Sequence, residues 1–258
     1  MNNMIFLGTA GARFVVMKQQ RSSGGIWLAL EEKNILIDPG PGTLVRCILN
    51  PSKLNPISLD GIILTHRHLD HVADVNIMIE AMTQGGFKKR GSLFAPSDAF
   101  DRDPVVFQYL RRFVNKIIVL KEGGKYHLGN VLIETPLRHF HGVETYGLRL
   151  LLPTGLTISF VTDTRYFPQL EKVYRTHVIV LNVVLYKRTG GHDIDHLCVE
   201  DAEKIIRETH PKLSILTHFG TTMLNEKPWK VVKKMANKLK VPVVAAQDGM
   251  VIKLDKFV

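Results

Sequence analysis

The sequence predicts an α+β protein built as a four-layer αββα sandwich, with two sheets face to face and helices on both outer faces. Three observations lead there. Short apolar or β-branched runs recur along the chain in two groups, each followed by helical stretches. No Gly-, Pro- or Ser-rich linker, short repeat or low-complexity tract divides the 258 residues, so one domain over 1–258 is expected. Hydrophobic residues make up 45% and charged residues 22%, enough for a large core under an ordinary surface.

The elements follow in order. Residues 4–7 read as a short buried strand ending in the flexible turn Gly8-Thr9-Ala10-Gly11. Residues 25–30 and 34–37 read as a hairpin joined by Glu31-Glu32-Lys33. Asp38-Pro39-Gly40-Pro41-Gly42 breaks that pattern with strong turn chemistry, and a short helix fits 43–49. Residues 61–64 form an apolar strand. Val72, Val75, Ile79 and Met82 then recur at helical spacing within 71–82. Strands are expected at 92–96 and 116–120, with a helix near 104–113 between them. Further strands are expected at 130–135, 145–152, 157–161 and 177–183. A helix at 199–208, a strand at 213–216, a helix at 228–239 and strands at 241–246 and 250–254 complete the order. The first half reads as mostly hairpin-like and antiparallel, the second as alternating strand and helix.

Charge and cysteine usage narrow the chemistry. The chain carries 34 Lys+Arg against 24 Asp+Glu, a net charge of +10. Such a surface concentrates anions, so phosphate- or carboxylate-bearing substrates are favoured over cationic ones. The basic residues are spread along the sequence, so charge alone assigns no nucleic-acid role. Cys47 and Cys198 form no CxxC pair, which excludes a structural zinc ribbon, and both read as buried free thiols. The N-terminus lacks the charged region and long apolar core of a signal peptide, and no apolar run approaches 18 residues. A cytoplasmic protein with no membrane partner is expected.

The strongest chemical signal is Thr65-His66-Arg67-His68-Leu69-Asp70-His71, directly after an apolar strand. Three imidazoles and one carboxylate within six residues are the donors that zinc and related divalent ions prefer. In an extended segment His66 and His68 point to one side. Asp70 and His71, at the turn into a helix, can face a second point. That arrangement supplies two adjacent metals. A solvent-exposed polar loop is the bland reading, and the density of four donors argues against it.

This His-x-His-x-Asp-His run resembles the signature of the metallo-β-lactamase-fold hydrolases. Later elements resemble the family in the expected order: His141 opening His141-x-x-x-x-Tyr146-Gly147, Thr162-Asp163-Thr164 after a strand, and Thr217-His218-Phe219-Gly220 after another. Asp38-Pro39-Gly40 resembles the early turn that supports the ligand loop. The resemblance covers nearly the whole chain and implies two divalent ions. It gives the first metal His66, His68 and His141, the second Asp70, His71 and His218, and a bridging Asp163. Zinc suits the histidine-rich set, while manganese and iron occur with similar ligands. His139 competes with His141, and the His-Gly and Tyr-Gly context favours His141. His127, His177 and His210 have no ligand-like context.

The segment Gly190-Gly191-His192-Asp193-Ile194-Asp195-His196-Leu197 opens the helix at 199–208. It is similar to an element of the phosphodiesterase branch, in which a histidine contacts the substrate phosphate and protonates the leaving group. An imidazole suits that task because its ordinary pKa lies near neutrality. His196 is the candidate catalytic residue, with His192 the weaker alternative. Asp70 is the candidate to assist deprotonation of the attacking water. Arg67 either contacts an anionic substrate or lies in solvent. Asn182 stands where some relatives carry an acid, which argues against a carboxylate-assisted variant.

Departures from the family choose among its branches. Asp70-His71 and the lack of an export signal argue against a β-lactamase. Ribonuclease Z carries a long tRNA-gripping arm between its third ligand and bridging aspartate, and only 21 residues separate His141 from Asp163 here. The phosphodiesterase of phosphonate breakdown carries a cysteine-rich extra site that two cysteines cannot build. The reading is a metal-dependent phosphodiesterase acting on a small-molecule or nucleotide phosphodiester. RNA is a further candidate substrate, and the family implies a homodimer. A thioester or lactone hydrolase of the same fold and a non-catalytic metal-binding member are the alternatives. The complete set of seven donors weighs against the last.

Overall fold

The computed structural model describes residues 2–188 and 194–258. Within them two seven-stranded sheets stack. The first contains β1 (Asn3–Phe6), β2 (Ile26–Leu30), β3 (Lys33–Ile37), β4 (Gly61–Ile63), β5 (Ser92–Ala95) and β6 (Lys116–Val119) in that order. The second contains β7 (Gly124–Leu128), β8 (Val131–Thr135), β9 (Leu148–Leu151), β10 (Thr157–Val161), β11 (Val178–Asn182), β12 (Leu213–Thr217) and β13 (Val243–Ala245). The last strand, β14 (Val251–Lys253), crosses back and pairs antiparallel with β1.

Each sheet is antiparallel on one side and parallel on the other. β1–β3 form a meander, and β3 through β6 then run parallel. β7–β10 are antiparallel, and β10 through β13 run parallel. The expectation of a mostly antiparallel first half is therefore corrected. Parallel neighbours need a crossover, and α2 (Thr43–Leu49) and α4 (Val75–Thr83) supply two of them. The central strands β11 and β12 are covered on both faces, which is why they read as nearly unbroken apolar runs.

The four layers are set by apolar faces. Leu28, Ile35, Ile63 and Phe94 meet Ile133, Leu148, Ile158 and Ile215 between the sheets. On the outer side of the first sheet, Leu36 and Ile62 pack with Val75, Met78, Ile79 and Met82 of α4. On the outer side of the second, Ile179, Leu181 and Leu216 pack under α5 (Gln169–Val173), α6 (Val199–Thr209) and α8 (Pro228–Leu239). The Asp201 carboxylate accepts the Cys198 backbone N–H at 3.1 Å, which starts α6 at the predicted place.

Other local expectations change. The helix near 104–113 is a 3₁₀ segment over Gln108–Phe113. Asn76 takes the Val105 carbonyl and the Phe107 N–H, so those backbone groups are spent on a side chain and a longer helix does not propagate. The helix expected over 71–82 is divided into α3 (Leu69–Val72) and α4, while the short helices α1 (Ala12–Met17), α5 and α7 (Thr221–Asn225) and the edge strand β7 had no sequence signal. Four to six residues are too few to show a period. Cys47 and Cys198 are free and buried. Among the described residues, no helix is long and apolar enough to cross a membrane.

Candidate metal centre

The carboxyl ends of β4, β10, β11 and β12 open at one end of the sandwich. The histidine loop follows β4, Asp163 follows β10, Asn182 ends β11 and His218 follows β12. The ligand-type atoms of His66, His68 and His141 lie within 4.8 Å of one another, and so do those of Asp70, His71 and His218. The two sets share a centre at Asp163. Its Oδ2 lies 3.3 Å from His218 Nε2, 3.4 Å from His71 Nε2, 3.5 Å from His141 Nε2 and 4.0 Å from His66 Nε2.

Hydrogen bonds at the back of the rings fix which nitrogen faces that centre. His71 Nδ1 donates to Asp38 Oδ2 at 3.0 Å. His141 Nδ1 donates to the Asp195 carbonyl at 2.9 Å. Thr65 Oγ1 gives its proton to Asp38 Oδ2 at 2.7 Å and so accepts from His66 Nδ1 at 3.1 Å. Each ring is thereby left with an Nε2 lone pair aimed inward, which is the form a metal binds. The Nε2 atoms of His66, His71 and His218 are buried with no hydrogen-bond partner. Buried polar atoms are rarely left so. A cation between them accounts for all three.

Electrostatics agree with a cation. Burial drives His66 well below its ordinary range and also lowers His68, which keeps both neutral. Burial alone would raise Asp163, yet His218, His196 and His71 hold it well below the usual carboxylate range. Burial would likewise lower His71, but Asp70 and Asp163 raise it well above its ordinary value. Positive charge is strongly favoured at that spot. The donor set, imidazoles around ionised carboxylates that together favour a positive charge, fits divalent metal ions.

Two close approaches shape the pocket floor. A Cβ on Gly40 would sit 2.1 Å from the Asp70 carbonyl oxygen, so the turn after Asp38 can lie against the ligand loop only as glycine. A Cβ on Gly11 would sit 2.1 Å from the His218 carbonyl oxygen. The Gly8–Gly11 segment, expected as a flexible turn, is thus a fixed brace. It bonds Phe219 through the Gly11 N–H and the Thr9 carbonyl, at 3.0 and 2.9 Å. His218 itself is held at φ 59°, a left-handed conformation that non-glycine residues adopt where surroundings enforce it.

The remaining candidates fall as follows. His139 turns away: Nε2 is 2.8 Å from the Tyr174 hydroxyl and Nδ1 is 3.2 Å from Thr162 Oγ1. Its burial lowers its pKa to about 3. His196 Nδ1 lies 3.6 Å from Asp163 Oδ2 and groups with His141 and Asp163. Burial pushes His196 down to about 4, with Asp163 opposing. His192 lies outside the described residues. Arg67 is neither free nor at the centre, because it donates to the Asp103 carbonyl at 2.6 Å. Asn182 donates to Asp163 Oδ1 at 2.8 Å, steering Oδ2 toward the histidines. Sequence reasoning missed Asp74 and Asp248. Asp74 accepts the N–H groups of Gly42 and Leu44, and Asp248 accepts Thr9 Oγ1 and the Ser22 N–H. Neither stands in a motif, so no local signal marks them.

Residues 33–219 match the family model described as the beta-lactamase superfamily domain. The chain belongs to the beta-lactamase superfamily. For this superfamily member, metal-dependent hydrolysis is the family chemistry. An uncharacterized protein of Methanocaldococcus jannaschii is 31% identical over 261 residues, covering 97% of this chain and 94% of that one. Ribonuclease Z of Methanopyrus kandleri is 24% identical over 292 residues, covering 97% of each. The crystal structure of the metallo-beta-lactamase fold protein YhfI from Bacillus subtilis has a TM-score of 0.79 at 20% identity, covering 97% of this chain and 98% of that one. The superfamily fold expected from the histidine motif is the fold observed.

Proposed function

We propose that residues 1–258 act as one dinuclear metal-dependent phosphodiesterase. The observation that carries the reading is the convergence of partnerless, buried imidazole nitrogens on one carboxylate oxygen. His66, His68 and His141 would hold one divalent ion, Asp70, His71 and His218 the other, and Asp163 both. Zinc is the metal the nitrogen-rich set suits, ahead of manganese and iron. Two such ions, when bound, lower the pKa of a water and offset the charge of the phosphate.

The chain's own groups would do the rest. A cleft of about 750 Å³ opens beside the centre, with Asp70, His68, His141, Asp163 and His196 on its floor and Arg13, Val16, Met17 and Leu69 on its walls. That size takes a nucleotide-sized molecule. Asp70 would receive the proton of the attacking water. His196, on the same floor, would hydrogen-bond the phosphate and return a proton to the leaving oxygen. A phosphodiester monoanion beside the ring raises its pKa and reverses part of the effect of burial. The net charge of +10 favours such anions, and the match to a ribonuclease Z supports a phosphate ester over a thioester or lactone.

The test is elemental analysis of purified protein, then hydrolysis of bis-p-nitrophenyl phosphate with added Zn²⁺ or Mn²⁺. About two metals per chain and metal-dependent cleavage are expected. His196→Ala should keep both metals and slow turnover by about 10²- to 10⁴-fold, the usual span for a proton-transferring group. Two metals with turnover of thioesters or lactones but not phosphodiesters would overturn the assignment.

A further inference from the structure

Although the basic residues as a whole are spread along the chain, one helix is locally rich in them. α8 and its two flanking residues carry Lys227, Lys230, Lys233, Lys234, Lys238 and Lys240, and no acidic residue occurs from 227 to 247. Val231, Val232 and Met235 turn inward and are buried in the core under the second sheet. The outer face is left with lysines, Asn237 and Trp229, which is 53% exposed. Lys238 pairs with Glu203 at 2.6 Å. Among the described residues, the other five lysines make no ion pair. Lysines three and four positions apart repel, and those in the first turn oppose the helix dipole. The face is therefore electrostatically unfavourable alone and complementary to a polyanion.

Its placement relative to the candidate metal centre is equally specific. β12 ends at Thr217, beside His218, and the chain passes through α7 directly into α8. β13, which follows α8, runs parallel to β12 and so begins at the far end of the sheet. Lys227 and Trp229 thus lie at the end of the sandwich that carries the metal centre, and the lysine row leads away from it over roughly 18 Å of helix.

We infer that the outer face of α8 is a track for the phosphate backbone of a nucleic acid, holding the part of a polynucleotide that extends beyond the reaction centre. The inference rests on the phosphodiesterase reading for its reaction but not for its binding. Lysines at successive turns neutralise successive phosphates, and the exposed Trp229 ring offers a stacking surface for a base. An anionic membrane fits less well. A helix that lies on a membrane exposes an apolar stripe, and that of α8 is buried.

The test uses the full chain, a fluorescent RNA hairpin and a DNA hairpin of the same sequence. Trp27 is 2% exposed, so quenching of the accessible tryptophan reports contact at Trp229, and Trp229→Phe should abolish it. Binding should weaken steeply with salt. The triple variant Lys230→Gln, Lys233→Gln, Lys234→Gln should bind at least about tenfold more weakly in low salt. Its log–log salt slope should be shallower by about two, since each backbone contact contributes about 0.7–0.9. Its melting temperature should be no lower than the parent's, since like-charge repulsion is relieved, and its bis-p-nitrophenyl phosphate turnover should match the parent. RNA and DNA bound alike fits backbone recognition. A triple variant that binds as tightly as the parent overturns the inference, as does binding to phosphatidylserine vesicles with no binding to either hairpin. If the parent cleaves no phosphodiester yet the triple variant loses hairpin binding, the enzymatic reading fails and the track stands.

Discussion

At the scale of single residues, the centre depends on side chains that would touch no metal. Asp38 receives the Thr65 N–H and hydroxyl at 2.7 Å each, and His71 Nδ1 at 3.0 Å. One carboxylate thereby orients the His71 ring directly and the His66 ring through Thr65. Asp38→Ala should weaken metal binding about 10- to 100-fold, as loss of such orienting groups does. Competition against a chromophoric chelator reads this directly, and an unchanged affinity would refute the orienting role. The turn Asp38-Pro39-Gly40 was legible from its composition, and its support of the ligand loop from the family resemblance. The left-handed φ of 52° at Asp38 and the bonds it allows were not, because they depend on where residue 65 arrives in space. The same holds for His139 and His141. Two residues apart, they differ in what lies opposite, and only the fold puts Tyr174 and Thr162 against one of them.

At the scale of elements, the loop between β8 and β9 is tied to the segment after β5 by Glu144. Its carboxylate accepts Ser97 and Asp98 backbone N–H groups at 3.0 and 3.3 Å and the Tyr146 hydroxyl at 2.7 Å. Burial pushes Glu144 up, and bonds from Ser97, Tyr146 and Asp98 more than reverse it, so its pKa is lowered. A group with a lowered folded pKa stabilises the fold above its ordinary pKa, and that contribution is lost as pH falls through the folded value. Asp98 acts in the opposite sense, since burial raises it. Glu144→Gln should cost about 1–2 kcal/mol at pH 7, the range for a partly exposed charged hydrogen bond. The difference from the parent should close as the pH falls below the ordinary glutamate range and through the lowered folded value. Urea titrations across that range measure it, and a constant difference would exclude an ionic role. Long elements with a clear period, such as α6 and α8, were legible in the sequence. Helices of four to six residues were not, since their helicity is set by packing rather than by pattern. Strand direction also escaped, because it is decided by crossovers and not by the strands.

For the whole molecule, the two groups of strands with helices after each made the four layers legible, and the return of β14 to the first sheet was not. Partner choice is long-range, and Val251–Lys253 carries no mark of it. The candidate donors come from both sheets: His66, His68, Asp70 and His71 follow the first, and His141, Asp163 and His218 lie in the second half. Ions bound only by the folded chain stabilise it by mass action, by about 2.7 kcal/mol per site at a free concentration 100-fold above Kd. Chelation should therefore lower the melting temperature in calorimetry, and restored Zn²⁺ should recover it. A melting temperature indifferent to chelation would argue against two sites spanning the halves. The near-equivalence of the sheets, each half meander and half parallel, gives that arrangement a further meaning. Neither half carries a complete donor set, so ions bound there would clasp the two like a rivet through a seam. Metal occupancy would then be a gauge of alignment between the halves: a slip of one sheet over the other, far from any substrate, would be felt first as a loosened ion.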